Sequence, residues 1–311
     1  MTRLPVHVVA GVIRDGSGKV LLARRPAGKQ HANLWEFPGG KVEPGEEATA
    51  ALSRELYEEL GLRVQATRSL IRVPCDGIVL DVHEVLAWTG MARSREGQAL
   101  AWLDAHAIDP AVLPPADRPV VTALRLPDRY LITPCAMPGD EQRFLASLDR
   151  ALQSGVRMIQ LRLPGWSRTS VVELARPLRA RCAAVQAILL LNADWALAEL
   201  LGLDGVHLPA RVAAGLTRRP LPIDRWVGVS CHDASELALA VAIGADFATL
   251  SPLRPTPDHP AAEALGWHRA AELIDSCPIP VYLLGGLEKA DLADARLAGA
   301  QGIAAIRGLW Q

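Results

Sequence analysis

The sequence predicts an α/β protein of two domains, the first with helices on a mixed sheet and the second a (β/α)8 barrel with a truncated last helix. Two observations carry this. The chain has 311 residues, half of them apolar and 22% charged, which is globular in composition and long for a single hydrophobic core. Its grammar also changes near residue 127: short strands around one clear helix give way to continuously apolar runs that alternate with helical patterns. The expected domains are residues 1–127 and 128–311.

Composition also excludes function classes. A formal net charge of -1 argues against binding duplex nucleic acid through bulk electrostatics. Five cysteines without a CxxC pair fit neither a disulfide framework nor a zinc knuckle, and suit a reducing compartment. The opening MTRLPVHVVAGVIRDG is unlike a signal peptide, and no apolar run reaches the ~18 residues of a membrane span. A cytoplasmic protein without a membrane partner is expected.

In the first domain, Val6–Arg14 and Val20–Arg24 are β-rich runs joined by Asp15-Gly16-Ser17-Gly18, which predicts a hairpin. A helix should run from near Glu46, where acidic residues suit the positive dipole end, to Gly61, a natural residue just past a helix end. Ile78–Trp88 follows as a strand. The four prolines of Pro110–Pro119 predict a constrained loop, with a short helix beginning in Val120–Leu126.

The second domain offers eight apolar strands: Tyr130–Thr133, Met158–Arg162, Ile188–Asn192, Gly205–Leu208, Trp226–Cys231, Phe247–Ser251, Val281–Gly286 and Gly302–Arg307. Helical patterns lie between most of them, at Glu141–Ser154, Ser170–Ala184, Ala234–Ile243, Ala261–Ser276 and Lys289–Ala298. Such alternation implies a parallel sheet buried on both faces. The unit count favours a closed barrel over a doubly wound open sheet.

The chemistry concentrates in the helix before Gly61. At about 100° per residue, Ala48, Leu52, Leu56 and Leu60 form one stripe. Glu59 projects into that stripe, with Glu55 at its edge and Glu58 further round. A solvated acidic face is the ordinary meaning of such a run, but a carboxylate on the buried side costs several kcal/mol unless paired or metal-bound. A hard divalent cation relieves both burial and mutual repulsion, and Mg2+ takes a few carboxylates plus phosphate oxygens. Arg54 can restrain one carboxylate, and the glycines before the helix let backbone approach a phosphate or metal. A metal-assisted phosphate-transfer site is predicted.

Gly40, Glu46 and the run Arg54-Glu55-Leu56-Tyr57-Glu58-Glu59-Leu60-Gly61-Leu62 resemble the Nudix box, G-x5-E-x7-R-E-U-x-E-E-x-G-U, at every defined position. Arg24-Arg25, Asn33, Glu36-Phe37-Pro38-Gly39-Gly40-Lys41 and Pro114-Pro115-Ala116-Asp117-Arg118-Pro119-Val120 are similar to the MutT branch, the 8-oxo-dGTP diphosphatases. The resemblance implies an α/β/α sandwich and Mg2+-dependent hydrolysis of oxidised purine nucleoside triphosphates to monophosphate and pyrophosphate, with Mn2+ as a substitute metal. It implies roles in nucleotide-pool sanitation, DNA repair and DNA replication. Glu55, Glu58, Glu59 and the Gly39 carbonyl would hold the metal, and Arg54 would support catalysis. One box glutamate, or a glutamate outside it, would help deprotonate the attacking water. Arg25 would contact phosphates, and Gln30, Glu36, Phe37, Pro38, Gly39 and Asp117 would line the nucleotide site. Three departures stand out. Asp117 replaces the base-reading Asn, Gln30 replaces a frequent His, and Ala101 stands where an accessory glutamate is expected, with Glu96 nearby. A carboxylate donates a hydrogen bond only when protonated. Asp117 therefore either accepts from base N–H groups, works protonated if buried, or is a surface turn carboxylate.

The second domain resembles thiamine phosphate synthase and its TenI-type relatives along its length. The resemblance rests on Arg129-Tyr130-Leu131-Ile132-Thr133, on Gln160-Leu161-Arg162, on Gly205-Val206-His207-Leu208-Pro209, on Gly228-Val229-Ser230-Cys231-His232 and on Leu284-Gly285-Gly286. It implies a phosphorylated small ligand held at Gly285, Gly286 and Arg307. The catalytic pattern is eroded. Ala193 follows Asn192 where a metal Asp is expected, Pro164 replaces a lysine, no Asp follows in Pro209–Val212, and the phosphate loop reads Pro255-Thr256-Pro257-Asp258-His259. A tautomerase histidine would have to be His232 or His259, and for each the ordinary reading is a barrel histidine serving structure. The leading expectation is an oxidised-nucleotide pyrophosphohydrolase fused to a degenerate barrel. The alternative is a thiamine-metabolism enzyme, with synthase or tautomerase activity in the barrel and the first half acting on pyrimidine or thiamine diphosphates. A third reading makes the barrel a sensor or interaction platform.

Overall fold

A computed structural model describes residues 5–28, 30–136, 139–256 and 263–310. The chain separates into two compact units, Met1–Arg125 and Leu126–Gln311. Leu126 packs in the second unit's core with Tyr130 and Ile132.

The first unit holds two sheets. Strands β1 (Val6–Ile13), β4 (Gly39–Lys41), β5 (Arg63–Cys75) and β6 (Ile78–Thr89) form one in the order β4-β1-β6-β5, with β1 and β6 parallel. Strands β2 (Val20–Arg24), β3 (Trp35–Glu36) and β7 (Leu100–Leu103) form the other, in the order β3-β2-β7. The predicted hairpin is corrected here. Its tip closes through Asp15 N to Lys19 O and a single bridge between Arg14 and Val20, but β1 and β2 then diverge into different sheets. Alternation along β1 explains the sandwich: Val9 and Ile13 pack with helix α1 (Ala48–Leu60), while Ala10 and Val12 pack with helix α2 (Arg118–Arg125) on the other face.

Helix α1 begins at Ala48, two residues past Glu46, whose carboxylate pairs with Arg54. It ends at Leu60 with Gly61 left-handed at φ 74°, as a glycine there permits. Leu52, Leu56 and Leu60 are fully buried, each stabilising the fold by roughly 1.5–3 kcal/mol. The proline-rich segment contains two short 3-10 turns, Pro110–Val112 and Pro115–Asp117, leading into α2.

In the second unit eight parallel strands close into a barrel. These are β8 (Arg129–Ile132), β9 (Met158–Leu161), β10 (Ile188–Asn192), β11 (Gly205–Leu208), β12 (Trp226–Cys231), β13 (Phe247–Leu250), β14 (Val281–Leu284) and β15 (Gly302–Ala305). The helices between them are α3 (Glu141–Gln153), α4 (Arg168–Ala184), α5 (Trp195–Leu200), α6 (Ala210–Ala213), α7 (Ala234–Ala242), α8 (Gly266–Asp275) and α9 (Leu292–Leu297). The predicted helix over Ala261–Ser276 is shorter, and Ala261 and Ala262 lie outside the described residues. Interior side chains of β8, β9, β13 and β14 fill the barrel with Tyr130, Met158, Phe247 and Tyr282, so its middle is a packed core and any site belongs to the strand ends. Among the described residues no helix is long and apolar enough to cross a membrane.

Candidate functional site: the α1 glutamates and the barrel mouth

The α1 face meets the glycine strand β4. Arg54 organises the contact with a bidentate fork on Glu46, its Nε 3.0 Å from Oε1 and its Nη2 2.9 Å from Oε2. The same guanidinium donates to Glu55 Oε1 at 2.8 Å and to the Lys41 carbonyl at 3.0 Å. Hydrogen bonds from Arg54, and then from the Glu43 N–H, hold the Glu46 carboxyl below its usual range. Arg54 thereby aims Glu55 at β4, where only glycine fits. A Cβ on Gly40 would lie 2.2 Å from the Glu55 carboxyl carbon, and one on Gly39 would lie 2.1 Å from the Val9 carbonyl oxygen. Gly40→Ala is accordingly expected to lower kcat on the order of a hundredfold, since small misplacements of a reacting constellation are that costly. Circular dichroism should show the fold retained, and a kcat within twofold of the parent would refute the close fit.

Glu59 is half-buried and accepts a hydrogen bond from the Gly39 N–H. Burial pushes its carboxyl up to about 8, and the charges of Glu36, Glu96 and Glu55 add to the effect. Glu58 stands apart, its side chain 54% exposed and 3.4 Å from Arg54. Among the described residues no three acidic, His or Cys side chains already converge as a ready cage. Glu55 and Glu59 nevertheless share one glycine-floored face, where a bound divalent cation would offset the burial and the repulsion that together raise Glu59. This donor set fits a hard cation.

Beside it lies a second group. Arg25 pairs with Glu36 and donates from Nε to the Gln30 carbonyl at 2.8 Å, so Gln30 enters through its backbone. Phe37 and Pro38 are buried, and the Pro38 carbonyl accepts from the Gly11 N–H at 2.8 Å. The Phe37 N–H donates to Asp117 Oδ1 at 3.0 Å. Asp117 is only 6% exposed, which corrects the surface-turn alternative. Burial pushes its carboxyl up to about 7, opposed by the Phe37 N–H and helped by Glu36.

At the strand ends of the barrel, Gly285 and Gly286 form a turn at φ 119° and 68°. A Cβ on Gly285 would lie 2.7 Å from the Leu253 nitrogen. Arg254 braces the turn, donating to the Gly286 carbonyl at 3.2 Å and to both oxygens of Asp291. Arg307 is exposed in the turn after β15. Three other barrel residues have partners within the barrel domain. Gln160 is buried and donates to the Tyr130 hydroxyl at 3.0 Å. Asp194 caps α5 through the Leu197 N–H at 2.9 Å and pairs with Arg168. His232 is tied to Glu236 at the start of α7, 2.8 Å away. Pro257, Asp258 and His259 lie outside the described residues.

A family model described as thiamine monophosphate synthase matches residues 129–309, and the NUDIX domain model matches residues 4–124. A putative thiamine-phosphate synthase of Geobacter sulfurreducens is 39% identical over 182 residues, covering 58% of this chain and 85% of the relative. The 8-oxo-dGTP diphosphatase of Haemophilus influenzae is 36% identical over 128 residues, covering 40% of this chain and 94% of the relative. The chain belongs to both families: it is a Nudix domain fused to a thiamine monophosphate synthase domain. A third relative, the CTP pyrophosphohydrolase of Escherichia coli, is 39% identical over 122 residues, or 38% of this chain and 90% of its own length. The Nudix half is a MutT-like pyrophosphohydrolase domain, a class that generally uses divalent metal ions.

One carboxylate outside the box also bears on Glu59. Glu96, in the segment between β6 and β7, is among the charges that raise Glu59. It lies 37 positions from Glu59 along the chain, and its only sequence signal is proximity to the expected accessory position at Ala101.

Proposed function

We propose that the Nudix half hydrolyses oxidised purine nucleoside triphosphates such as 8-oxo-dGTP to the monophosphate and pyrophosphate, with Mg2+ as its metal and Mn2+ as a substitute. Such a reaction would cleanse the nucleotide pool and so serve DNA replication and repair. The single observation that supports it most is Glu59, half-buried on the glycine face with Glu55, Glu36 and Glu96 bearing on it. Glu55, Glu59 and the Gly39 carbonyl would hold the ion, joined by Glu58 once it turns from Arg54; when bound, the ion polarises phosphoryl oxygens and favours hydroxide over water. Arg54 keeps Glu55 in place, and Arg25, once it leaves Glu36, binds the phosphate chain. Glu59, or Glu96 outside the box, accepts the proton of the attacking water.

Asp117 is the base-reading group of this proposal. Protonated on Oδ2 while Oδ1 accepts from Phe37, it offers a donor to the 6-oxygen of 8-oxoguanine and an acceptor to the adjacent N–H. The CTP pyrophosphohydrolase relative favours a second reading, in which ionised Asp117 accepts from the exocyclic amine of cytosine. Pyrophosphate release by the whole chain from 8-oxo-dGTP, dGTP, dCTP and dATP with added Mg2+ separates the two. Equal rates on 8-oxo-dGTP and dGTP would remove the sanitising role, and a dCTP preference would establish the second reading.

For the barrel we propose a phosphorylated small ligand bound at Gly285, Gly286 and Arg307 without synthase turnover. Pro164, Ala193 and the run Pro209–Val212 supply neither the cation nor the carboxylates that a departing diphosphate needs. Incubated with aminopyrimidine diphosphate and thiazole phosphate, the chain is expected to bind thiazole phosphate and form no thiamine phosphate. Formation of thiamine phosphate would instead establish the thiamine-metabolism alternative. The five free cysteines suit a cytoplasmic setting for both halves.

A further inference from the structure

We propose that Arg95 is a positioning residue of the pyrophosphohydrolase, clamping the segment between β6 and β7 onto the C-terminal end of α1 and so delivering Glu96 to Glu59. The inference rests on the reading of Glu59 and Glu96 given above and adds the device that brings them together.

A helix end leaves carbonyls without donors from its own chain turn. At α1 two of them are met from the distant segment: Arg93 N–H donates to Leu60 O at 3.1 Å, and Arg95 N–H to Glu59 O at 2.9 Å. The Arg95 side chain adds a third bond, from Nη1 to the Tyr57 carbonyl at 2.8 Å. Its guanidinium also lies 5.0 Å from the Tyr57 ring centroid, with Arg63 at 4.8 Å from the same ring. Two cations thus contact one aromatic ring. A glycine permits the close approach: a Cβ on Gly90 would lie 2.8 Å from the Gly61 carbonyl oxygen. Tyr57 occupies the undefined position between Leu56 and Glu58 in the box, so this chain uses a free position of the motif to fasten a remote segment. Glu96 follows Arg95 directly, and because the Arg95 N–H is bonded to the Glu59 carbonyl at 2.9 Å the clamp fixes the main chain of Glu96 beside the end of α1.

Fastening matters because Glu96 is exposed and carried by a segment without regular structure. Without the clamp, its carboxylate would sample many positions, and ordering it would cost entropy in every catalytic cycle. A helix-end bond serving stability alone would move Tm, whereas a positioning bond must move kcat through Glu96.

A double-mutant cycle on the full chain tests this, with pyrophosphate release as the readout. Arg95→Ala should lower kcat about tenfold with KM for the nucleotide within twofold, since misplacement penalises the reaction more than binding. In a Glu96→Gln background the same change should cost less than a further twofold. Arg95→Lys should restore part of the loss, and Tyr57→Phe, which keeps ring and carbonyl, should match the parent. Hydrogen exchange without any divalent cation supplies a readout independent of turnover: the Arg93 and Arg95 amides should exchange at least about tenfold faster in Arg95→Ala. An undiminished kcat in Arg95→Ala, or a full tenfold loss repeated in the Glu96→Gln background, would overturn the positioning role. Retained activity in Glu59→Gln would instead overturn the reading on which it rests.

Discussion

Glu59→Gln is expected to lower kcat for nucleoside triphosphate hydrolysis about a thousandfold while leaving Tm unchanged or slightly higher. Burial first, and then the charges of Glu36, Glu96 and Glu55, raise this carboxyl to about 8, so the neutral isostere escapes the cost of holding an ionisable group there. The amide oxygen can still accept from the Gly39 N–H, which preserves the local fold. What disappears is a negative charge at the point where a divalent cation and a triphosphate would meet. Pyrophosphate release at saturating substrate and cation, with a thermal scan of the same preparation, provides the measurement. A kcat within tenfold of the parent would place the chemistry elsewhere.

Asp117→Asn is expected to stabilise the protein above neutral pH and to flatten its pH response. The folded carboxyl sits at about 7 against an ordinary 3.8, chiefly through burial. Between those values the native state retains a proton that the unfolded chain has lost, so stability declines as pH rises through this window and levels off above about 7. The full effect is about 4 kcal/mol, which the neutral amide escapes. The facing groups are Glu36 and Arg25, with the Cys75 thiol and Arg118 close by. Denaturation midpoints at pH 5, 6, 7 and 8 should therefore fall in the parent relative to the variant. The asparagine also keeps a donor at every pH, so preference for 8-oxo-dGTP over dGTP should persist at pH 8 in the variant and decline in the parent. Parallel curves for the two proteins would show that Asp117 does not carry the proton.

Much of the architecture was legible because its signals are local. The eight apolar runs are each buried on both sides in the barrel, and burial on both sides leaves an uninterrupted apolar word in the sequence. Strand β5 escaped notice for the opposite reason. Arg63–Cys75 is largely half-exposed, and its pairing with β6 is interrupted by register shifts, so no clean alternation survives. The hairpin expected at Asp15–Gly18 shows the limit of turn signals: they predict the reversal, not which sheet each arm then joins.

The candidate site divides similarly. Glu46, Arg54, Glu55 and Glu59 were identifiable because one helix and its approach set their spacing, and helical periodicity alone put Glu59 on the buried side. The use of Gln160 as an internal partner depends on a neighbour that sequence distance conceals: Tyr130 stands 30 residues away.

The amino-acid order thus settled the two fold types, the box and the helix that displays its glutamates, since each follows from periodicity, turn chemistry and short-range spacing. Tertiary packing decided that Asp117 is buried beneath the Phe37 amide, that Glu96 bears on Glu59, and that Arg95 caps a helix it does not belong to. These relations join residues 36 to 80 positions apart. Their burial and charge arise from the enclosure itself, which no local pattern encodes.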